Sequence, residues 1–445
     1  MDIQSSIEHQ PMSRFQVSAI GVCMLINMLD GFDVLVVAFT AASISAEWGL
    51  SATSIGTLLS AGLVGMTVGS LVLGPLADRF GRRPMVLACL VIISLGMVLS
   101  GFTQNMGQLT LARLITGLGI GGMLPSLNTI VSEFSSLRWR SFSVSLLQAG
   151  YPIGATVGGT LAAILIGAYG WRSVYICAGL ASTLMLLVVW FRLPESMDYL
   201  MTRRPRNALA RVNALLARLG KEPVNALPEL SASAAQERAG YADLLATPGL
   251  LRVTALFCVA FFIVMFSFYF VLSWTPKLLV DAGMSTNEGI SGGIILNVGG
   301  ILGSILLGFI SSRLDISRLI ALYMMISAGL MLAFSTVTEF NPSMLALALF
   351  LGFFIFGSMV GLYAFAPHLY PARSRAAGLS VAIGFGRIGG VLSPALAGYL
   401  FDQGWERADG FIAFAIPLLV SMIAVLLLGS VWRGQSATSR PVVTG

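Results

Sequence analysis

The amino-acid sequence predicts an all-α membrane protein with twelve transmembrane helices in two pseudo-symmetric six-helix bundles. Three observations predict it. The 445-residue chain is 56% apolar and only 10% charged, whereas a soluble globular domain carries about a quarter of its residues charged. Its apolar residues fall in successive runs of roughly 18 to 32, each long enough to cross a hydrocarbon core about 30 Å thick as a helix. Glycine, serine and arginine positions of the first half recur in the second at a nearly constant offset.

In order, the runs are Phe15 to Ala46, Ser54 to Ala77, Met85 to Thr103, Leu109 to Ser132, Phe142 to Ala168 and Ser173 to Phe191, then Val253 to Leu279, Ile290 to Ser311, Leu319 to Thr336, Met344 to Ala366, Ala376 to Phe401 and Phe411 to Val431. They divide the chain into an N-terminal bundle (1–192), a cytoplasmic linker (193–251), a C-terminal bundle (252–433) and a tail (434–445). The runs are continuous and far longer than the roughly ten-residue alternating strands of a membrane barrel, so helices satisfy the backbone. The polar opening segment, with Asp2 and Glu8, leads into the first span with no small-residue cleavage site after it, and that span is expected to stay in the protein. Cys23, Cys89, Cys177 and Cys258 sit inside spans without metal-like spacing and read as small packing residues.

The linker mixes Pro194, Pro205, Pro223 and Pro228 with Arg203, Arg204, Arg206, Arg211 and Glu237, and Leu/Ala periodicity from Asn207 to Leu219 predicts a short amphipathic helix on the cytoplasmic face. With alternating spans, Arg14, Arg79, Arg82, Arg83, Arg138, Arg140, the linker arginines, Arg313, Arg318, Arg373, Arg375, Arg433 and Arg440 fall on one side, while the opposite loops show no basic excess. That side is expected to be cytoplasmic, with both termini. The pI of about 9.3 follows from this topology, so a nucleic-acid partner is not required.

The repeat aligns Gly65, Gly69, Ser70, Gly74 and Arg79 with Gly299, Gly303, Ser304, Gly308 and Arg313, and Arg138, Arg140, Ile153 and Gly154 with Arg373, Arg375, Ile388 and Gly389. Parallel halves with a site near the midplane are the arrangement of an alternating-access carrier. Glycines four apart, at Gly65 and Gly69, Gly117 and Gly121, Gly150, Gly154 and Gly158, and Gly386 and Gly390, let helix backbones approach closely in lipid.

Between spans 2 and 3 the chain reads Gly74, Pro75, Leu76, Ala77, Asp78, Arg79, Phe80, Gly81, Arg82, Arg83, Pro84, where Gly81 permits a tight turn and the charges form a cluster that must rearrange during any rocking motion. This resembles the loop signature of the major facilitator superfamily; the second half has Ser312 where the first has Asp78. Further motifs resemble the aromatic acid/proton symporter family within it, whose members include benzoate and 4-hydroxybenzoate carriers. They are Asp30-Gly31-Phe32-Asp33 in span 1, followed by Val34 where the family pattern has Thr; Arg113, Gly117, Gly119, Gly121, Gly122, Pro125 and Glu133 along span 4; and Tyr370, Pro371, Arg373, Arg375, Gly386, Arg387, Ile388 and Gly389 around span 11. The resemblance implies the major facilitator fold and proton-driven import of aromatic carboxylates across a bacterial inner membrane, with the proton gradient as energy source, no cofactor, and a monomer sufficing.

Of the twenty acids, only Asp30 and Asp33 lie deep inside a span. An ionised carboxylate there costs at least about 2.5 to 3.5 kcal/mol, and the i, i+3 spacing puts both on one helix face, so they are the expected proton-coupling residues. Arg387 lies roughly 18 Å along span 11 from Arg375. It needs a partner, either an aspartate of span 1 or the carboxylate of a substrate. Arg113, one or two turns inside span 4, either snorkels to the interface or joins the site. Asn128, Gln148, Tyr151 and Asn297, beside Asn27, offer hydrogen bonds to a substrate, and Phe266, Tyr269 and Tyr363, with Phe262, Trp274 and Phe354, offer rings. Asp78, Arg79, Gly81, Arg82, Glu133, Arg138, Arg140 and Arg375 are expected to serve gating.

Two histidines, His9 and His368, and the lack of any cluster with metal or nucleophile spacing argue against a membrane enzyme. Within carriers, the alternative is a proton-coupled exporter of drugs or metabolites. It is suggested by Gly150, Tyr151, Pro152, Gly154, Gly158 and Gly159, which partly resemble an antiporter motif from which Tyr151 and Ala155 depart.

Overall fold

A computed structural model describes residues 11–227, 244, 247–311, 314–336, 339–371 and 374–438. The described residues form fourteen helices and no strand: α1 (Arg14–Trp48), α2 (Ala52–Phe80), α3 (Arg82–Gly101), α4 (Met106–Glu133), α5 (Arg140–Tyr169), α6 (Trp171–Arg192), α7 (Met197–Arg203), α8 (Ala208–Arg218), α9 (Pro248–Asp281), α10 (Thr286–Ile310), α11 (Ile316–Ser335), α12 (Pro342–Leu369), α13 (Arg375–Asp402) and α14 (Arg407–Thr438). All but α7 and α8 are long and apolar enough to cross a membrane, which makes twelve spans. The predicted features at Asp2, Glu8, His9, Pro228, Glu237, Ser312, Arg313, Arg373 and Arg440 lie outside the described residues.

Helix ends follow local chemistry. Ser13 and Gln16 make a reciprocal capping box that starts α1, Ser285 and Glu288 do the same for α10, and Asn105, Asp315 and Asn341 cap α4, α11 and α12 with their side chains. Gly49 closes α1 in the left-handed region at φ 61°.

The chain divides into two compact units, Met1–Gly49 with Ala61–Ser231, and Leu50–Ser60 with Ala232–Gly445. The first turns of α2 belong to the second unit, where the Asp402 carboxylate accepts the otherwise unpaired amides of Ala52 and Thr53, both at 2.9 Å.

Glycines set the closest helix contacts, and matching glycines do matching work. A methyl group on Gly65 or Gly69 would strike the backbone of α4 at Leu114 or Leu118; one on Gly299 or Gly303 would strike α12 at Leu349 or Phe353. Gly154 of α5 lies against the Met28 backbone of α1, and Gly389 of α13 against Phe262 of α9. Thus the repeat read from sequence joins second helix to fourth and fifth to first within each half. All four cysteines are free, three of them buried.

The segment from Asn207 to Leu219 forms the expected amphipathic helix, α8, which turns Ala208, Val212, Leu215 and Leu216 inward. With Met197, Tyr199 and Leu200 of α7 and Leu219 it makes a small apolar core that also takes Phe15 of α1.

Candidate functional site

In the first unit, α1 carries Asp30 and Asp33 in its buried part, at 2% and 0% exposure. Neighbouring glycines make that depth possible. Gly31 lets the Tyr151 carbonyl of α5 close on α1, and the Asn27 side chain donates to Leu147 O at 2.6 Å across the same seam. Asp30 Oδ1 and both carboxylate oxygens of Asp33 are buried and have no hydrogen-bond partner. The two carboxyls lie within electrostatic range of each other, and Cys89 of α3 lies near Asp30.

Arg113 of α4 is 2% exposed and does not snorkel. Its Nη2 donates to the backbone oxygen of Asp33 at 2.5 Å and its Nη1 to the Met97 sulfur at 2.9 Å, while its centre lies 6.0 Å from the Tyr175 ring. Its charge also falls on the Asp33 side chain. The cation brought to Asp33 within this unit is therefore Arg113, which the sequence left between the interface and the site.

In the second unit, half-buried Arg387 lies within electrostatic range of the Tyr269 and Tyr363 phenols. Gly390 leaves room for the Tyr269 ring, which a methyl group there would strike. Phe266 does not stand free: it stacks on Phe414 at 4.5 Å and on Phe262 at 6.0 Å as part of the helix packing. Trp274 is likewise committed, donating to Pro394 O at 3.1 Å, and Phe354 packs with Tyr323 and Phe353. Asn297 is buried, its amide bonded to Gly293 O at 2.8 Å and its Oδ1 without a partner. Asn128 bonds back to Leu124 O at 3.1 Å, Gln148 is exposed, and Tyr151 is half-buried.

The charged turn between α2 and α3 is a built structure. Gly81 sits at φ 108°, a conformation that side chains disfavour, and the Glu195 carboxylate lies where a Cβ would go. Asp78 pairs with Arg82 at 2.7 Å and its backbone oxygen accepts from Arg203 at 3.0 Å. Glu195, 5% exposed, accepts the Arg83 and Ser196 amides at 3.1 and 3.0 Å and lies 3.9 Å from Arg211. Glu133 accepts the Ser196 hydroxyl at 2.8 Å and the Met197 amide at 2.9 Å. Two acids thus bind the start of the linker to the ends of α3 and α4. Arg79 lies over Phe80, Arg138 over Trp139, Arg140 is half-buried and Arg375 exposed. Tyr370, which precedes α13, donates to Thr254 at 3.2 Å, and burial pushes its phenol up to about 12.

Sequence reasoning passed over Glu195, Ser196, Met97, Thr40 and Tyr175. An acid directly after span 6 among so many arginines, and a phenol inside that span, are the signals that mark two of them.

Twelve apolar helices with charges sealed inside them define a multi-pass membrane protein of the carrier class. Comparison with known proteins supplies the family. A model of the Major Facilitator Superfamily matches residues 23–381. The gallate transporter of Pseudomonas putida is 31% identical over 432 residues, 96% of this chain and 95% of the relative. The 4-hydroxybenzoate transporter PcaK of the same organism is 30% identical over 437 residues, 97% of this chain and 96% of the relative. The benzoate transport protein of Acinetobacter baylyi is 26% identical over 433 residues, covering 96% and 92%. Among solved structures, the xylose transporter XylE of E. coli in a partially occluded inward-open conformation matches with a TM-score of 0.71 at 19% identity over 93% of this chain and 98% of that one, a likeness of fold alone. The chain belongs to the major facilitator superfamily, in the group of the aromatic acid transporters. It is accordingly a transporter and not an enzyme.

Proposed function

We propose that this transporter imports a small organic anion, an aromatic carboxylate, by proton-coupled symport through alternating access. The proton gradient is its energy source and no cofactor takes part. The observation that carries the reading is the pair of buried carboxyls, Asp30 and Asp33, of which Asp30 Oδ1 and both Asp33 oxygens lack hydrogen-bond partners beside the buried Arg113. Two ionised carboxylates cannot both rest there without water or a cation to meet them, so a proton that comes and goes is the natural occupant. Arg387 with the Tyr269 and Tyr363 phenols offers a carboxylate fork and two polar rings, a chemistry suited to a benzoate-like anion. Asn128, Gln148, Tyr151 and Asn297 complete the proposed set of substrate contacts. Relatives that transport gallate, 4-hydroxybenzoate and benzoate support the same class of cargo. The reading includes a bacterial-type inner membrane, both termini cytoplasmic, and a working monomer.

The test is uptake into proteoliposomes under an imposed proton gradient, with 4-hydroxybenzoate, gallate, an aliphatic acid, a sugar and a cationic dye as cargo. Accumulation of the aromatic acids alone, lost in Asp30→Asn and Asp33→Asn, is expected. Undiminished proton-driven accumulation in both variants would sink the coupling role, and movement of the dye against the proton gradient would make the protein an exporter.

A further inference from the structure

The Arg113 guanidinium is a cation sealed inside the first unit, yet its hydrogen bonds go to a thioether and a backbone carbonyl, and its Nε has no partner. The adjacent Asp33 carboxyl has neither oxygen bonded. A guanidinium and a carboxylate this close ordinarily close into a two-bond fork, the strongest arrangement open to either. Here Met97 and Tyr175 hold what would make that fork.

We propose that Met97 and the ring of Tyr175 are positioning residues that keep the Arg113 guanidinium off the Asp33 side chain, and thereby set the pH at which Asp33 exchanges its proton. This rests on the reading of Asp33 as a coupling residue. A closed fork would keep Asp33 ionised and useless as a proton carrier; a guanidinium with no holder at all would fall into that fork. A thioether is a weak acceptor and a ring face a modest cation site, so together they hold Arg113 while leaving it able to move.

Both holders are fixed from behind. The Tyr175 hydroxyl lies 3.0 Å from that of Thr40 on α1, and Trp171 meets its ring edge-on at 5.8 Å. Met97 is brought in by its surroundings: a methyl group on Gly96 would strike Thr116 of α4, and one on Gly179 of α6 would strike Val98. The charged and titratable groups around Asp33 are Asp30 on its own helix, Arg113 on α4, Tyr175 on α6, Cys89 of α3 beside Asp30, and Tyr151 of α5, whose backbone lies against Gly31. Among them Arg113 is the cation, so its position dominates.

The experiment is the pH profile of gradient-driven 4-hydroxybenzoate uptake by the full chain in proteoliposomes, with the amount of folded protein measured in parallel. Met97→Leu removes the acceptor at nearly constant volume, frees Arg113 towards Asp33, and should move the half-maximal pH to more acid values by about half a unit or more. Tyr175→Leu should move it the same way, while Tyr175→Phe, which keeps the ring and its edge-on contact with Trp171 but gives up the bond to Thr40, should move it less. Met97→Gln, a stronger acceptor of similar length, should move it in the alkaline direction. Opposite shifts from two substitutions at one position are not what a general loss of packing produces. Parental profiles for folded Met97→Leu and Met97→Gln, or shifts of one sign from both, would overturn the proposal for Met97; equal shifts from Tyr175→Phe and Tyr175→Leu would overturn it for the ring. Failure of the underlying reading looks different, since Asp33→Asn would then keep the parental profile.

Discussion

Replacing Glu195 should free the start of the linker, and the size of the effect can be worked from its contacts. The carboxylate accepts two backbone amides, of Arg83 at 3.1 Å and Ser196 at 3.0 Å, in a site where Glu195 is 5% exposed. Only the Arg83 bond crosses from the linker to α3, since Ser196 is the next residue of the linker itself; losing it leaves a buried amide unsatisfied at a cost of about 1 to 3 kcal/mol, so Glu195→Ala should lose about 2 kcal/mol of docking, on the order of thirtyfold in the undocking equilibrium. Glu195→Gln keeps a carbonyl for the same amides and gives up only charge, a loss of about 1 kcal/mol or about fivefold. Arg203 and Arg206 at the α7–α8 turn are exposed, and neither is followed by proline as Arg204 is, so these two report undocking as tryptic cleavage. When reclosing is faster than cutting, the nicking rate follows the population of the open form. Nicking at these arginines in membrane vesicles, followed by mass spectrometry, should rise in the order parent, Gln, Ala. An alanine variant nicked within about threefold of the parent would refute the claim that Glu195 fastens the linker.

Two further expectations follow from where side chains are placed. Phe266→Ala should act on stability, because the ring is stacked on Phe414 and Phe262; a loss of about 3 to 5 kcal/mol, read as a lower melting temperature in detergent, with the substrate KM of the surviving protein little changed, is expected. A raised KM at unchanged stability would return Phe266 to the substrate contacts. Arg387→Lys retains charge and loses the planar fork, so the KM for 4-hydroxybenzoate should rise about tenfold while the pH profile of uptake stays parental. An unaltered KM would remove Arg387 from substrate binding.

Much of the architecture was legible in the chain because lipid imposes a simple rule: a stretch that leaves water must be apolar and helical for some twenty residues. The twelve spans, the amphipathic α8 and the depth of Asp30 and Asp33 all follow from that rule. What was not legible depended on which way a side chain turns. Arg113 has equal reach to the interface and to the interior, and only the thioether and ring awaiting it inside decide between them. The aromatic residues posed the same difficulty. Phe266 and Tyr269 are one turn apart on α9, yet the first is spent in a stack and the second lies near a guanidinium. Glu195 was missed because its partners are backbone amides, which have no letter in a sequence.

The carbonyl-to-α-carbon seams between α2 and α4, and again between α10 and α12, leave no rotamers at the contact that can relax under load. From Ala61 onward α2 is locked to α4 at that seam, as α10 is to α12, and the first and fifth helices of each half are locked in the same way, so bending that transport demands is most easily found where helices meet through side chains. A spacer as small as one methyl group, inserted into a seam, acts as a wedge along its whole length. Such a wedge offers a way to stiffen or jam the carrier without touching a single charged residue.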